Sequence, residues 1–249
     1  MKQERGVVVT FLGTGDASGS GGRFHACILV EAEDACFLLD CGASSVIALN
    51  RYHIDANRVG AILVSHLHGD HFGGIPFFLM DAICVTGRTT PLAIAGPEGV
   101  EDRVWRTLDV LYAGVSERER AFPLRFEELT PGKGSSLGAV SVIPGRGSHG
   151  HENALVLRVE CGGKVIAYSG DTGWTDALKE TAAGADLFIC EASHFEKEKE
   201  GHLTYRTLAR RRADLECKRM VLTHLGSDVL ARTSDLDIET VEDGERIVL

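Results

Sequence analysis

Short apolar runs, separated by glycine-rich or polar turns, recur along the whole chain and alternate with segments of helical spacing. The apolar runs predict β-strands at residues 7–12, 26–31, 36–39, 59–64, 92–95, 124–129, 139–143, 154–160, 164–169, 186–191, 220–223 and 246–249. The other segments predict helices at residues 44–51, 76–83, 97–111, 174–182 and 204–213. Thr204 is a suitable N-cap for the last helix.

This order of elements fits two packed β-sheets with helices on their outer faces, which is a four-layer α/β/β/α sandwich. No proline-rich linker, low-complexity segment or internal repeat divides the chain. We therefore expect residues 1–249 to form a single domain.

Composition and charge narrow the classes of function. The formal net charge is −10, which disfavours a long nucleic acid as partner, because such binding draws most of its affinity from cationic contacts. No run of about 18 apolar residues occurs, so no membrane-spanning helix is expected. The seven cysteines are an odd number without CxxC pairs, which predicts reduced thiols in a cytoplasmic protein.

A histidine-rich segment directly follows the strand predicted at residues 59–64. It contains His66, His68, Asp70 and His71 within six residues. Alternate residues of an extended chain project to the same side, so His66 and His68 can chelate one divalent ion. Asp70 and His71 lie beyond Gly69, where we expect a glycine turn, and can point to a second ion. The spacing favours metal binding over a solvent-exposed loop and leaves a single metal site as an alternative.

The histidine-rich segment resembles the HxHxDH signature of the metallo-β-lactamase superfamily, and further residues match that family in order along the chain. Asp40 matches an early aspartate at a strand end, Asp171 a bridging aspartate, and His224 the last histidine. The third histidine of the first metal is His149 or His151. We favour His149, because it stands further from the following strand.

The resemblance implies the metal ligands. One ion would be held by His66, His68 and His149, the other by Asp70, His71 and His224, with Asp171 bridging them. This set of nitrogen and oxygen donors suits Zn²⁺, with Mn²⁺ or Fe as alternative occupants. The antibiotic-degrading members of the family carry a cysteine where Asp171 stands here, which disfavours β-lactam hydrolysis.

Within the superfamily, the chain most resembles the ribonuclease Z-like branch. The similarity includes residues 11–15 (FLGTG), residues 65–76 (SHLHGDHFGGIP), Glu191, and the segment Gly201-His202-Leu203-Thr204. In that branch, a carboxylate and a histidine at these places deliver a proton to the leaving group, which implies that Glu191 orients His202. The alternative is that His202 only packs at a helix start. Asp70 is the residue that would accept a proton from the attacking hydroxide.

The sequence indicates the class of substrate less directly than it indicates the metal ligands. Ribonuclease Z enzymes that process tRNA carry a long basic arm, which usually lies between the third histidine and the bridging aspartate. Only 21 residues separate His149 from Asp171 here, and two predicted strands use them. We therefore expect hydrolysis of a phosphodiester in a small molecule or a nucleotide, by a metal-bound hydroxide. The loops at residues 15–24 and 77–90 are expected to shape the pocket.

Other functions remain open at this stage. The same metal core would serve an ester, lactone or thioester hydrolase, or a ribonuclease acting on RNA 3′ ends. A non-catalytic metal-binding or metabolite-sensing protein is a further alternative. Relatives in this branch are often dimers, so the apolar residues 76–80 would either form a homodimer interface or be buried within the chain.

Overall fold

Two seven-stranded β-sheets face each other in the computed structural model, which describes residues 6–150 and 153–249. In spatial order, the first sheet contains β14 (Arg246–Val248), β1 (Val8–Gly13), β2 (Cys27–Glu31), β3 (Cys36–Leu39), β4 (Ala61–Leu63), β5 (Leu92–Gly96) and β6 (Leu124–Glu128). The second contains β13 (Glu239–Thr240), β12 (Met220–Thr223), β11 (Leu187–Glu191), β10 (Lys164–Tyr168), β9 (Leu155–Cys161), β8 (Val140–Arg146) and β7 (Ser135–Leu137).

Every predicted strand is present, with small shifts at the ends. The predicted edge strand at the C-terminus is confirmed, because β14 pairs with β1 through Val9 and Ile247. Two strands of the second sheet, β7 and β13, were not predicted. Each has only two or three residues, which is too short for a hydrophobic pattern to show.

Helices cover the outer faces of both sheets. The α-helices of the described chain are α1 (Ser45–Arg51), α2 (Gly69–Phe72), α3 (Ile75–Cys84), α4 (Val100–Leu111), α5 (Asp176–Ala182), α6 (Tyr205–Arg211) and α7 (Ser227–Leu230). Helix α4 begins three residues later than predicted, after Gly99, whose φ of 82° is incompatible with the helix. The predicted cap of α6 is confirmed, since the Thr204 side chain accepts a hydrogen bond from the Thr207 N–H at 3.1 Å.

Three apolar clusters hold these layers together. One lies between the sheets, and one lies between each sheet and its helices. Strand β9 contributes to two of them, because alternate side chains of a strand point to opposite faces. Leu157 is buried between the sheets, whereas Val156 is buried under α5. The four-layer α/β/β/α sandwich expected from the sequence is thus observed.

The connection between His149 and Asp171 is a tight hairpin. Strands β9 and β10 pair antiparallel, with Cys161 opposite Lys164. Only Gly162 and Gly163 form the turn, and both have positive φ, as a two-residue hairpin turn of this kind requires. The described residues of this connection leave no room for an inserted arm.

The apolar residues 76–80 lie on α3 and pack mostly inward. Pro76, Phe78 and Leu79 are buried, whereas Phe77 and Met80 are half-buried. In the ranges that the structure describes, no helix has both the length and the apolar character that crossing a membrane requires.

The topology brings polar residues to one edge of the sandwich. Strands β3 to β6 run parallel to one another, and so do β10 to β13. The carboxyl ends of parallel strands meet at the same edge. Asp40 directly follows β3, Glu191 ends β11 and His224 directly follows β12.

Candidate metal centre

All seven metal ligands favoured from the sequence lie at this edge, in two groups. The first ligand group is His66, His68 and His149, and the second is Asp70, His71, Asp171 and His224. Within each group, the ligand atoms lie within 4.8 Å of one another. Asp171 lies between the groups: its Oδ1 is 3.3 Å from His71 Nε2, and its Oδ2 is 3.9 Å from His149 Nε2. This is the placement that a bridging carboxylate requires.

The favoured third histidine lies within the first group. His149 is buried, and its Nε2 lies 3.0 Å from His68 Nδ1. The alternative, His151, lies outside the described residues. The two facing ring nitrogens are the arrangement in which lone pairs can share one cation.

The local backbone explains how four ligands come from one short segment. His66 lies in the loop after β4, and His68, whose backbone is extended, is the N-cap of the one-turn helix α2, which carries Asp70 and His71. The glycine turn expected at Gly69 is wrong, because Gly69 is the first residue of α2, and Gly73 and Gly74 after this helix also have helical backbone angles. Glycine is required there for space: a Cβ on Gly74 would lie 2.2 Å from the Gly42 carbonyl oxygen.

Oxygen atoms orient four of the histidine rings through their Nδ1 atoms. The pairs are His66 with Ser65 Oγ at 3.1 Å, His71 with Asp40 Oδ2 at 2.6 Å, His149 with the Gly201 carbonyl at 2.7 Å, and His224 with Ser193 Oγ at 3.0 Å. A ring that donates from Nδ1 keeps a lone pair on Nε2. This second layer of hydrogen bonds is typical of metal-binding histidines.

Asp40, the early aspartate of the family resemblance, orients the candidate ligand His71 by contacting its Nδ1, the ring nitrogen that points away from the ligand group. It is fully buried, and its carboxylate accepts hydrogen bonds from the Ser65 N–H at 2.7 Å, from the Ser65 hydroxyl at 2.8 Å and from the Tyr168 hydroxyl at 2.7 Å. With His71, four donors surround its two oxygens, which use most of their acceptor capacity. Its positive φ of 57° is one that aspartate tolerates.

Two buried acceptors show that the site fits a cation. His66 Nε2 and Asp171 Oδ1 have no hydrogen-bond partner within the described part of the chain. Buried polar atoms are normally satisfied, because leaving one unpaired costs about 1–3 kcal/mol. Both atoms face the ligand groups, and a divalent ion would satisfy them with the nitrogen and oxygen donors that such ions prefer.

The charges within the site compete for protons. Burial, together with neighbouring histidines, holds the pKa of His66 well below its ordinary value. Burial alone would lower the pKa of His224, but the carboxylates of Asp171 and Asp70 raise it to about 9. Burial would raise the pKa of Asp171, but His224 and His71 hold it well below its usual range. Protons and cations therefore compete for the same atoms.

Glu191 and His202 lie side by side, as the family resemblance implies. Glu191 is almost fully buried, and its two oxygens lie 3.2 and 3.3 Å from His202 Nδ1. Burial alone would lower the pKa of His202, but the hydrogen bond to Glu191 raises it. The Thr172 N–H donates to Glu191 at 2.7 Å and fixes the carboxylate.

His202 lines the cavity beside the ligand groups. This cavity has a volume of about 620 Å³. The ligand atom of His202 also lies within 4.8 Å of those of His149 and Asp171. Its Nδ1, which is 3.8 Å from Asp171, is the atom bonded to Glu191.

The cavity wall contains residues that sequence reasoning did not assign to the site. They are Asp16, Ala17, Ser18, Ser20, Ser193, His194, Lys199, Gly226, Ser227 and Asp228. The loop at residues 15–24 does shape the pocket, as expected, but none of the described lining residues comes from residues 77–90. That segment continues from α3 to Arg88 and Thr90, which line a separate cavity.

Comparison with known proteins gives consistent results. The family described as "Anti-Pycsar protein Apyc1" matches residues 7–245. The ribonuclease Z of Haloferax volcanii is 30% identical over 292 aligned residues, which cover 96% of this chain and 91% of that protein. The zinc phosphodiesterase ELAC protein 1 of Mus musculus is 37% identical over 126 residues. That match covers 49% of this chain and only 33% of the mouse protein.

The fold comparison extends over nearly the whole chain. The crystal structure of human tRNase Z, short form (ELAC1), superimposes with a TM-score of 0.78 and 27% sequence identity, covering 96% of this chain and 98% of the human chain. The chain therefore belongs to the Anti-Pycsar protein Apyc1 family, within the ribonuclease Z-like branch of the metallo-β-lactamase superfamily.

Proposed function

We propose that this protein is a metal-dependent hydrolase with a binuclear centre that cleaves a phosphodiester in a small molecule or a nucleotide. The observation that carries the proposal is the pair of ligand groups joined by Asp171, with the Glu191–His202 pair beside them. The match to a zinc phosphodiesterase and to ribonuclease Z supports phosphodiester chemistry.

The residues that would hold the cations are those of the two ligand groups. His66, His68 and His149 would hold one ion, and Asp70, His71 and His224 the other, with Asp171 bridging them. Zn²⁺ suits these donors, and Mn²⁺ or Fe are the alternatives. Two bound ions would lower the pKa of a water molecule and offset negative charge on the phosphoryl oxygens.

The chain's own residues would manage the protons. Asp70 lies at the cavity wall and would accept a proton there. His202 would deliver a proton to the leaving oxygen from Nε2, because its Nδ1 is committed to Glu191. The Glu191 carboxylate would favour the protonated ring before transfer, which agrees with the raised pKa of His202.

The size of the site supports a small substrate. A cavity of about 620 Å³ is in the range of small-molecule sites. The tight β9–β10 hairpin stands where tRNA-processing relatives carry their arm, and the net charge of −10 opposes a long nucleic acid. The similarity to ribonuclease Z favours a second candidate function, a ribonuclease acting on RNA 3′ ends.

Three organisational expectations belong to the same proposal. The cluster between the sheets joins residues from both halves of the chain, which supports one domain over residues 1–249. The thiols of all seven cysteines are free, which supports a reducing, cytoplasmic compartment. The half-buried Phe77 and Met80, with the exposed Val85 and Val110, offer apolar surface for a homodimer.

The test combines metal analysis with a substrate panel. Purified protein would be analysed for bound metals and assayed with bis(p-nitrophenyl) phosphate, a nucleotide diester, a precursor tRNA, a lactone and a thioester. We expect about two ions per chain and turnover of bis(p-nitrophenyl) phosphate and the nucleotide diester only. Cleavage of the precursor tRNA alone would favour the ribonuclease. Turnover of the lactone or thioester alone would replace the proposal with that hydrolase. Protein without affinity for divalent ions would contradict it entirely.

A further inference from the structure

The buried hydroxyl of Ser193 lies between His224, a candidate metal ligand, and His202, the proposed proton donor. Ser193 follows β11 and is 6% exposed. Its Oγ makes a short hydrogen bond to the Glu191 carboxylate, and it lies 3.1 Å from His202 Nδ1 and 3.0 Å from His224 Nδ1. Its backbone N–H also points to Glu191, at 3.3 Å.

Counting donors and acceptors fixes the direction of each of these bonds. A serine hydroxyl offers one hydrogen and two lone pairs, and a carboxylate only accepts. Ser193 must therefore donate its hydrogen to Glu191. Both imidazoles must then donate to Ser193 from Nδ1, which uses its two lone pairs. No other set of donors and acceptors satisfies the three contacts at once.

The consequence for His224 is a fixed tautomer. With a hydrogen on Nδ1, the nitrogen left for a cation is Nε2, which lies 3.2 Å from Asp70 and 3.4 Å from Asp171, where a cation would displace its proton. Among the described residues, no hydrogen bond other than that of Ser193 reaches His224 Nδ1. Ser193 is thus the group that holds this ligand in its metal-binding form.

The consequence for His202 differs, because this ring has two partners. Its Nδ1 is shared between Ser193 and Glu191, so its orientation depends on the hydroxyl and the carboxylate together. The Ser193 hydroxyl also occupies one oxygen of Glu191. Any change at Ser193 therefore reaches the ligand His224 and the proton donor His202 at the same time.

We propose that Ser193 is a positioning residue that sets the ring orientation and the Nδ1–H tautomer of both His224 and His202, and so couples cation binding to proton delivery. The proposal rests on the proposed function for the role of His202. The part that concerns His224 needs only cation binding.

Ser65 provides a matched control. It too is buried, its hydroxyl donates to a carboxylate, Asp40, and it lies 3.1 Å from Nδ1 of a cation-facing histidine, His66. It makes no described contact with His202. Replacing either serine by alanine therefore removes an equivalent bond to a ligand, but only Ser193→Ala also disturbs the proton donor.

The experiment compares Ser193→Ala, Ser193→Thr and Ser65→Ala with the unchanged protein. Zn²⁺ affinity is measured by competition with a chromogenic chelator. Single-turnover rates are measured on aryl phosphodiesters with good and poor leaving groups. The ring tautomers of the zinc-loaded protein are read from long-range ¹H–¹⁵N spectra of ¹⁵N-histidine-labelled samples.

We expect both alanine variants to bind Zn²⁺ about 10–100-fold more weakly, the loss typical of a removed partner of a ligand. Only Ser193→Ala should slow poor leaving groups more than good ones, and Ser193→Thr should recover both properties, because it keeps the hydroxyl. In the spectra of Ser193→Ala, the Nδ1–H signal of His224 should weaken through faster exchange with water, because no described acceptor other than Ser193 reaches it. The signal of His202 should change less, because Glu191 still accepts from its Nδ1. Ser193→Thr should keep both signals.

Other results would overturn the proposal. They are unchanged Zn²⁺ affinity in Ser193→Ala, the same leaving-group dependence in both alanine variants, or no recovery in Ser193→Thr. If the unchanged protein cleaves no phosphodiester, the proposed function fails. The zinc titration and the spectra then still decide whether Ser193 orients the two rings.

Discussion

Two buried networks, one around Asp40 and one around Glu191, use the same chemistry for different ends. The Asp40 network consists of Asp40, Ser65, His66, His71 and Tyr168. The Glu191 network consists of Glu191, Ser193, His202 and His224. In each, a carboxylate at a strand end accepts a hydrogen bond from a serine, and that serine holds a histidine through Nδ1.

The difference lies in the second histidine. In the Asp40 network both histidines belong to the candidate ligand groups, and Asp40 is fully buried and accepts a hydrogen bond from Tyr168. In the Glu191 network His224 faces the cations, whereas the His202 side chain is 13% exposed at the cavity. A fully enclosed carboxylate can only orient ligands, whereas one with a ring open to the cavity can also assist proton transfer.

Removing the carboxylate of the Asp40 network should produce the largest effect. Asp40→Ala leaves buried donors from Ser65, His71 and Tyr168 unpaired, so we expect a loss of about 3–5 kcal/mol in the free energy of unfolding. Metal binding and activity should disappear with it. Urea unfolding with and without a chelator measures the first, and metal analysis the second.

Asp40→Asn is the control for the backbone. Asparagine also tolerates a φ of 57°, so only the charge and part of the accepting capacity change. We expect its stability to lie between those of the unchanged protein and Asp40→Ala. If Asp40→Ala unfolded at the same urea concentration as the unchanged protein, the hydrogen bonds of the Asp40 network would not be needed to hold its side chains in place.

Removing the His202 ring from the Glu191 network should leave the bound cations in place. His202→Ala removes the ring that faces the cavity, whereas His224 and its serine remain. We expect both ions to stay bound and the cleavage rate to fall by about 10²–10⁴-fold for poor leaving groups, the usual contribution of a general acid. Good leaving groups should be affected far less. Equal slowing for both kinds of leaving group would exclude His202 as the proton donor.

Sequence reasoning predicted the residues of the two candidate ligand groups but not the residues that orient them. The four ligands from residues 66 to 71 are close in the chain, so a local pattern reveals them. The Asp40 network depends on contacts such as Tyr168 with Asp40, 128 residues apart, and no local pattern encodes such a pair. Ser193 is likewise one serine among many until the fold places it between His202 and His224.

The fold was more predictable than the pocket. Strand positions follow from apolar runs that are buried on one or both faces, and the helices from their spacing. The pocket depends on loop paths, which the hydrophobic pattern does not determine. Asp16 illustrates this, because it lines the cavity from a glycine-rich loop. Its side chain accepts hydrogen bonds from the N–H groups of Ser18 and Ser20 in the same loop.

Neutralising the carboxylate of the Glu191 network should change the pH dependence more than the maximum rate. The bond to Glu191 raises the pKa of His202, and the proton donor is active only while protonated. Activity should therefore fall as pH rises through that pKa. In Glu191→Gln the pKa should drop, so the alkaline fall in the rate begins at lower pH.

The measurement is a pH–rate profile of kcat/KM on a diester with a poor leaving group. We expect Glu191→Gln to lose about 10-fold or more near neutral pH and to recover part of its rate at lower pH, where His202 is protonated again. His202→Ala is the control, because it lacks the titrating ring. A Glu191→Gln profile that falls at the same pH as the unchanged protein would contradict the role of this carboxylate.

The smallest effect is expected at the outer member of the Asp40 network. Tyr168→Phe removes one hydrogen bond, of 2.7 Å, from a neutral hydroxyl to a carboxylate that keeps the donors of Ser65 and His71. Burial and the nearby Asp40 raise the pKa of Tyr168, so its hydroxyl stays protonated and serves only as a donor. We expect a loss of about 1.5–3 kcal/mol in the free energy of unfolding, with the metal content unchanged. Urea unfolding of the metal-loaded protein checks this, and a loss of metal from this variant would mean that Asp40 holds His71 only when its remaining acceptor site is filled.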